Sequence, residues 1–503
     1  MLYFYHWIDI LSHFLFVFIL TYYLAINLQW YNYNFFRVIT KHHKFEWHIY
    51  YFAVPIILFI IFYPLYNGLI FYLYFLFIML PLSFLWYHQM DKKLVWTKRI
   101  KRLFAFVLIL LVCYEIILSF NLNSNYFLWH AWIFTPIIAG IICSICYEWI
   151  ALRIYIRLAK KKILDMSDLI VIAITGSYGK TSIKNIIYQI IKYDFKAYAT
   201  PRSVNTNKGL AIDINASLPS DTQVYIAEAG ARNKGDIAEI SNLLNQHYAV
   251  IGKIGNAHIE YFKNIQNTIQ TKFEILCSPR LKKLFLQKDN KLPDQIDIAK
   301  YNSNISQSKN LILYPFQIRN EEANLSGISF EMLIDSNWCY FSTTLLGRFN
   351  IDNIAVAILL ALELGIPLGK IQEYVKNLEP IPHRLFKMIT PHKIILDDSF
   401  NGNLEGMTEA IRLASLHEGR KIIVTPGLVE YDEESNIKLC EKIDDVFDLA
   451  IITSSLNARL FNSHISRAEK IFIEDKSVLE DTLAQTGKNG DLVLFANDAP
   501  NYI

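Results

Sequence analysis

The segment Val171–Asn185 reads VIAITGSYGKTSIKN. Leu169–Ile174 is a continuous apolar run, the pattern of a parallel strand buried on both faces. It leads into Gly176-Ser177-Tyr178-Gly179-Lys180-Thr181 and then into a helical pattern. Glycines there let backbone N–H groups turn toward a phosphate, and the helix start adds its positive end. Lys180 supplies a mobile charge, and the Thr181 hydroxyl is a candidate Mg²⁺ ligand. The spacing departs from G-x-x-x-x-G-K-[ST], because Ile174 stands where the first glycine would be. The expected structure is a shortened phosphate loop between a buried strand and a helix.

Upstream the chain changes character. Before Ile163 it is mostly apolar and aromatic, and apolar runs long enough to span a bilayer lie near residues 10–28, 48–66, 69–87, 103–120 and 127–150. Asn67-Gly68 reads as a tight turn. Basic residues cluster in alternate loops: Arg37, Lys41 and Lys44; Lys92 to Arg102; Arg153 to Lys162. The loop 121–126 carries no charge. By the positive-inside rule, about five spans place the N-terminus outside and everything after residue 162 in the cytoplasm. A multi-pass membrane protein is expected. Glu115 falls inside the fourth run with no basic partner apparent in a neighbouring span, and His130 lies near a span end. Six scattered cysteines fit a reducing compartment. With 49 basic and 46 acidic residues, the overall charge gives no sign of a nucleic-acid partner.

Downstream, VYIAEAG is a second apolar strand ending at Glu228. A carboxylate at such a strand tip points into the crevice where α/β proteins bind ligands, and it is a candidate for the ion that Thr181 touches. YAVIGKIGNAHIEYF repeats the design and places His258 beyond a strand.

The ordered set T-G-S-Y-G-K-T, Thr200-Pro201 to Asn205 and Gly209, Glu228 to Ile237, and G-N-A-H-I-E at 255–260 resembles the Mur ligases. These are ATP-dependent amide ligases of peptidoglycan precursor synthesis. The resemblance runs from about Ile163 to Ile503. It implies an ATP-binding P-loop domain with a parallel sheet over 163–381 and a Rossmann-like α/β C-terminal domain over 382–503. A membrane helical bundle over 1–162 stands where the family's UDP-sugar domain would be.

The resemblance further implies that Lys180, His258, Lys272 and Arg384 serve catalysis. Thr181, Glu228, His258 and a carbamylated Lys272 would hold two Mg²⁺ ions, and Thr200 and Asn205 would meet the acceptor. Gly176 to Thr181, Gly347, Asn350, Asn353, Arg384, Asp397, Asp398, Ser399 and Asn401 would lie on the ATP side. Side chains alternate along a strand, so only one of Asp397 and Asp398 faces the nucleotide, and Asp398 is favoured. Departures from the family pattern are Thr206, Phe349, His383 and Leu404. The implied reaction forms an acyl phosphate on an acceptor carboxylate, which an amine then displaces. D-alanyl-D-alanine joining a muramoyl-tripeptide is the preferred case. Alternatives are a lipid-linked or envelope-polymer acceptor in contact with membrane lipid, and an ATP-binding membrane scaffold without catalysis. Tyr431 and Asn497 are the only donor-side candidates visible in the C-terminal segment.

Overall fold

The computed structural model describes residues 2–31, 33, 35–40, 44–62, 69–90, 93–120, 133–202, 204–255, 262, 264–290, 302, 305, 310–400, 402–429 and 431–498. His258, Asn401, His130, the Asn67-Gly68 turn and the loop 121–126 lie outside them. The chain divides into two compact units at Ile154/Tyr155. The boundary read from sequence, 162/163, falls inside the helix Thr135–Asp165.

The N-terminal unit is helical. Among the described residues, Ile10–Trp30, Ile70–Gln89 and Thr135–Asp165 are long and apolar enough to cross a membrane by length and composition. Glu46–Phe62 is a shorter apolar helix. Lys98–Phe120 has 23 residues and opens on Lys98, Arg99, Lys101 and Arg102. Aromatic rings form the core: Phe16 stacks on Phe59 with centroids 5.2 Å apart, and Phe59 meets Phe71 edge-on at 4.8 Å. Glu115 has a partner after all, because His13 Nδ1 lies 2.8 Å from its Oε1. The two residues are 102 positions apart, and a histidine is not counted among basic partners in a sequence scan.

Among its described residues the second unit holds three sheets. The first is parallel, in the order β2 (Ala197–Ala199), β3 (Val224–Glu228), β1 (Ile170–Thr175), β4 (Tyr248–Ile251), β5 (Lys283–Gln287), β6 (Leu311–Tyr314). The strand leading to the phosphate loop is therefore central, as its unbroken apolar run requires. Its side chains alternate. Ile172 and Ile174 pack on the side of Ile183, Ile187 and Ile354, while Val171 and Ala173 pack on the side of Leu210, Ile214 and Ile240.

A three-stranded antiparallel sheet follows, β7 (Ile318–Asn324), β8 (Gly327–Ile334) and β9 (Asn337–Thr343). Its Phe330, Met332 and Phe341 join the first of those two cores. The sequence reading did not anticipate this sheet.

The third sheet has the order β10 (Phe386–Ile389), β11 (Lys393–Asp398), β15 (Asp491–Ala496), β12 (Lys421–Thr425), β13 (Leu449–Ile452), β14 (Glu469–Phe472). Only β10 runs antiparallel to its neighbour. Asp398, Pro426, Thr453 and Asn497 thus sit at or just past the C-terminal ends of parallel strands, where open α/β sheets bind ligands.

Candidate active site

The phosphate loop takes its shape from the turn after β4. The backbone N–H groups of Ser177 and Tyr178 donate to Lys253 O at 2.9 and 3.2 Å. Gly179 has φ +76°, a left-handed conformation that a side chain disfavours, and it caps the helix Lys180–Ile191. A Cβ at Gly255 would lie 2.6 Å from the Tyr178 ring, so that glycine admits the tyrosine. Lys180 curls back on its own loop, its Nζ donating to Gly176 O at 2.8 Å and Ser177 O at 3.1 Å. Burial lowers its pKa, Glu228 opposes that, and Arg384 reinforces it.

Glu228 lies opposite Ile174 at the tip of β3 and is 1% exposed. Neither carboxylate oxygen accepts a hydrogen bond, although Lys184 Nζ stands 3.1 Å from Oε1. A buried carboxylate with unused lone pairs, beside Thr181 in one cavity wall, fits a divalent cation. Among the described residues no cluster of three or more His, Cys, Asp or Glu forms a ready-made cage. A nucleotide-bound Mg²⁺, which keeps water and phosphate ligands, does not need one.

Two cavities meet at the loop. One, of about 640 Å³, is lined by Lys180, Thr181, Asn205, Glu228 and Arg384, and on the C-terminal side by Tyr431, Thr453, Lys476 and Asn497. The other, of about 340 Å³, is lined by Gly179, Tyr314, Asp352, Asn353, Arg384 and Asp398. Asp398 is the member of its pair that faces a cavity, where its Oδ1 accepts from Leu385 N at 3.0 Å. Asp397 turns to His383 Nδ1 at 2.8 Å. Asn350 stays behind the wall: its Nδ2 donates to Leu346 O at 2.7 Å, and its Oδ1 accepts from Asn353 Nδ2 at 2.8 Å. Gly347, with φ +89°, lies against the Phe349 and Leu385 side chains. Ser399 N donates to Asp397 Oδ1 at 3.1 Å.

Arg384 lines both cavities and donates to Phe400 O at 2.8 Å. Burial lowers its pKa, with Asp398 and Glu228 opposing. Thr200 is buried beside β3, and Asn205 O accepts from Gly230 N at 2.7 Å. Lys272 lies in the last turn of the helix Ile265–Phe273 and lines neither cavity. Burial first, then the charge of Lys180, pushes its pKa down to about 7. The neutral amine that results is the form able to add carbon dioxide.

The departures from the family pattern are accommodated locally. His383 has φ +63°, a conformation a glycine would take freely. Thr206 caps the helix Asn207–Ala216 by accepting from Gly209 N. Leu404 occupies the first position of the helix Leu404–Ser415, where proline is common. Phe349 lines the second cavity.

Lys184, Thr453, Lys476 and Asp498 escaped the sequence reading, whereas Tyr431 was already a donor-side candidate. Lys184 is buried one turn beyond Lys180, and its signal was a position in the stripe it shares with Ile187 and Ile191. Tyr431 OH meets Tyr178 OH at 2.6 Å. Asp498 pairs with Lys476 at 2.6 Å and also accepts from Thr453 Oγ1.

Residues 174–361 match the Mur ligase middle domain. A UDP-N-acetylmuramoyl-tripeptide–D-alanyl-D-alanine ligase of Buchnera aphidicola is 27% identical over 312 residues, covering 58% of this chain and 67% of that one. The Escherichia coli ligase of the same name is 27% identical over 273 residues, covering 53% and 59%. The chain thus spans about three-fifths to two-thirds of the length of these curated relatives. The MurF ligase of Thermotoga maritima, solved in complex with ADP, shares the fold with TM-score 0.58 and 21% identity, covering 69% of this chain and 80% of that one. Residues 174–361 are thus similar to a Mur ligase middle domain, and the second unit shares its fold with the Thermotoga ligase.

Proposed function

We propose that the protein is an ATP-dependent, ADP-forming ligase that joins the amine of D-alanyl-D-alanine to the terminal carboxylate of a UDP-N-acetylmuramoyl-tripeptide. The observation that carries this reading is the convergence of Lys180, Thr181, Glu228 and Arg384 on a cavity that continues to the strand tips of the C-terminal sheet. Phosphate binding and a second substrate's crevice are then one space. The relatives' names specify a UDP-linked acceptor, so that acceptor is taken in preference to a lipid-linked one.

The nucleoside would occupy the smaller cavity beside Asn353 and Asp398, with its phosphates on the loop amides. Lys180 would leave the Gly176 and Ser177 carbonyls to meet the β- and γ-phosphates. Thr181 and Glu228 would hold Mg²⁺, which offsets charge on the transferring phosphoryl group. An oxygen of the acceptor carboxylate attacks the γ-phosphorus, the bond to the ADP oxygen breaks, and an acyl phosphate forms. The dipeptide amine then adds to the acyl carbon, and phosphate and the amine proton depart. Arg384, facing both cavities, is placed to neutralise the phosphoryl oxygens throughout. Lys253–Glu405 (2.6 Å) and Tyr178–Tyr431 (2.6 Å) link the domains around this space and help exclude water.

A carbamate on Lys272, with His258, would hold a second ion. The lowered pKa of that amine supports the carbamate. The apolar N-terminal helices would anchor the ligase to the inner membrane, with the catalytic domains on the cytoplasmic side.

The test is phosphate release from ATP by full-length protein in detergent. Release that requires Mg²⁺, the UDP-tripeptide and D-alanyl-D-alanine together supports the reading. Release indifferent to either substrate overturns it.

A further inference from the structure

Lys184 is among the largest fully buried side chains of the chain, yet it carries an ammonium. Its Nζ lies 2.6 Å from Thr200 O, 2.7 Å from Arg202 O and 3.1 Å from Glu228 Oε1. Two of its three N–H donors meet the Thr200 and Arg202 carbonyls, and its charge stands against Glu228 as an ion pair. One cation therefore joins the phosphate-loop helix, the carbonyls of Thr200 and Arg202, and the carboxylate at the tip of β3. Arg202 has φ +46°, a left-handed conformation that costs a non-glycine residue about 1–2 kcal/mol. Its carbonyl is held in that conformation by Lys184. Asn205 lies in the cavity wall and is tied to the residue two beyond Glu228 through Gly230 N.

We infer that Lys184 is a positioning residue with two effects. It holds Thr200 and Arg202 in place for the acceptor, and it shares the charge of Glu228 so that the carboxylate binds a divalent ion more weakly than it would alone. Lys184 touches neither cavity space nor ion, and it acts through the groups it holds. The acceptor half of this inference rests on the function proposed above.

The test uses full-length Lys184→Met and Lys184→Arg in detergent. The metal arm is Mn²⁺ titrated into the protein–ADP complex and followed by electron paramagnetic resonance. The acceptor arm is calorimetric binding of UDP-N-acetylmuramoyl-tripeptide without nucleotide. With Glu228 no longer shared, Lys184→Met should bind Mn²⁺ at least about threefold more tightly. With Arg202 and Thr200 released, it should bind the acceptor at least about tenfold more weakly. Lys184→Arg keeps the charge and should restore the Mn²⁺ constant. Its planar fork cannot reproduce two carbonyl bonds converging on one nitrogen, so acceptor binding should stay weak. A merely structural lysine would lower the active fraction and leave both constants alone. Unchanged or weakened Mn²⁺ binding in folded Lys184→Met overturns the inference, as does unchanged acceptor binding. If Lys184→Met does not fold, Lys184→Arg decides, and wild-type constants in both arms overturn it. A wild-type protein that fails to bind the acceptor refutes the proposed function, while the Mn²⁺ arm still judges Lys184.

Discussion

Replacing Lys272 with Met should flatten the pH dependence of folding between pH 7 and 9. Burial in the helix Ile265–Phe273, with Lys180 nearby, brings the amine down from its ordinary 10.5 to about 7. That gap corresponds to a penalty of about 5 kcal/mol for keeping the charged form folded. The unfolded chain holds its proton up to pH 10.5, whereas the native chain releases it near 7. Stability therefore rises with pH across this window, and below pH 7 the full penalty is present. From pH 7 to pH 9 the gain from this one group is about 2 kcal/mol. Methionine has a similar shape and no charge to bury, so the variant should be more stable at pH 7 and gain less on going to pH 9. Urea unfolding of the full-length protein, read by hydrogen exchange of peptides spanning residues 224–251 and 265–277, measures the difference. Wild type and variant with parallel pH dependences would refute the burial argument. They would also remove the neutral amine on which a carbamate at Lys272 depends.

Three further outcomes are expected. Gly179→Ala must place a side chain at φ +76° with its Cβ 3.2 Å from Asn353 Oδ1, and equilibrium dialysis should show ATP binding weakened at least about tenfold; unchanged affinity would mean the loop is not the phosphate site. His247 Nδ1 accepts from Val171 N at 3.1 Å, and burial, then Arg280 and Lys282, push its pKa down from 6.5 to about 4. Stability from the neutral ring is complete above pH 6.5 and lost toward pH 4, by up to about 3 kcal/mol, so His247→Gln should reduce the fall in melting temperature between pH 7 and pH 4.5, and an equal fall would count against it. Tyr431→Phe loses the hydroxyl contact with Tyr178, and steady-state kinetics should show KM for the dipeptide rising about threefold to tenfold with KM for ATP unmoved; the reverse pattern would place Tyr431 on the nucleotide side.

The readable parts of this protein were those written locally. Leu169–Ile174 is apolar at every position because β1 is covered on both faces, and the Gly-Lys-Thr that follows can only turn and enter a helix. Glu228 was visible for the same reason, as a charge ending an apolar strand. Alternation along β11 separated Asp398 from Asp397 before any coordinates. What was hidden depends on distant partners. Lys184 resembles any lysine on an amphipathic helix until Thr200, Arg202 and Glu228 are brought around it. The C-terminal wall of the larger cavity takes Tyr431, Thr453, Lys476 and Asn497 from separate segments; Tyr431 and Asn497 were named from the sequence, but Thr453 and Lys476 were not. The antiparallel strands β7 to β9 are the longest strands among the described residues, but β7 is polar and exposed at most positions and β9 opens on exposed residues, so no apolar run marked them. In the N-terminal unit, composition marked the apolar runs but could not pair His13 with Glu115.

The central claim is that a carboxylate oxygen of the acceptor attacks the γ-phosphate. The direct measurement is turnover with UDP-N-acetylmuramoyl-tripeptide labelled with ¹⁸O in its terminal carboxylate, with mass analysis of the released phosphate. Transfer of one labelled oxygen per phosphate, in the presence of D-alanyl-D-alanine and Mg²⁺, is the predicted result. Unlabelled phosphate from that reaction in ordinary water, with label entering only when unlabelled acceptor is run in ¹⁸O-water, would show hydrolysis without acyl activation and would contradict the account.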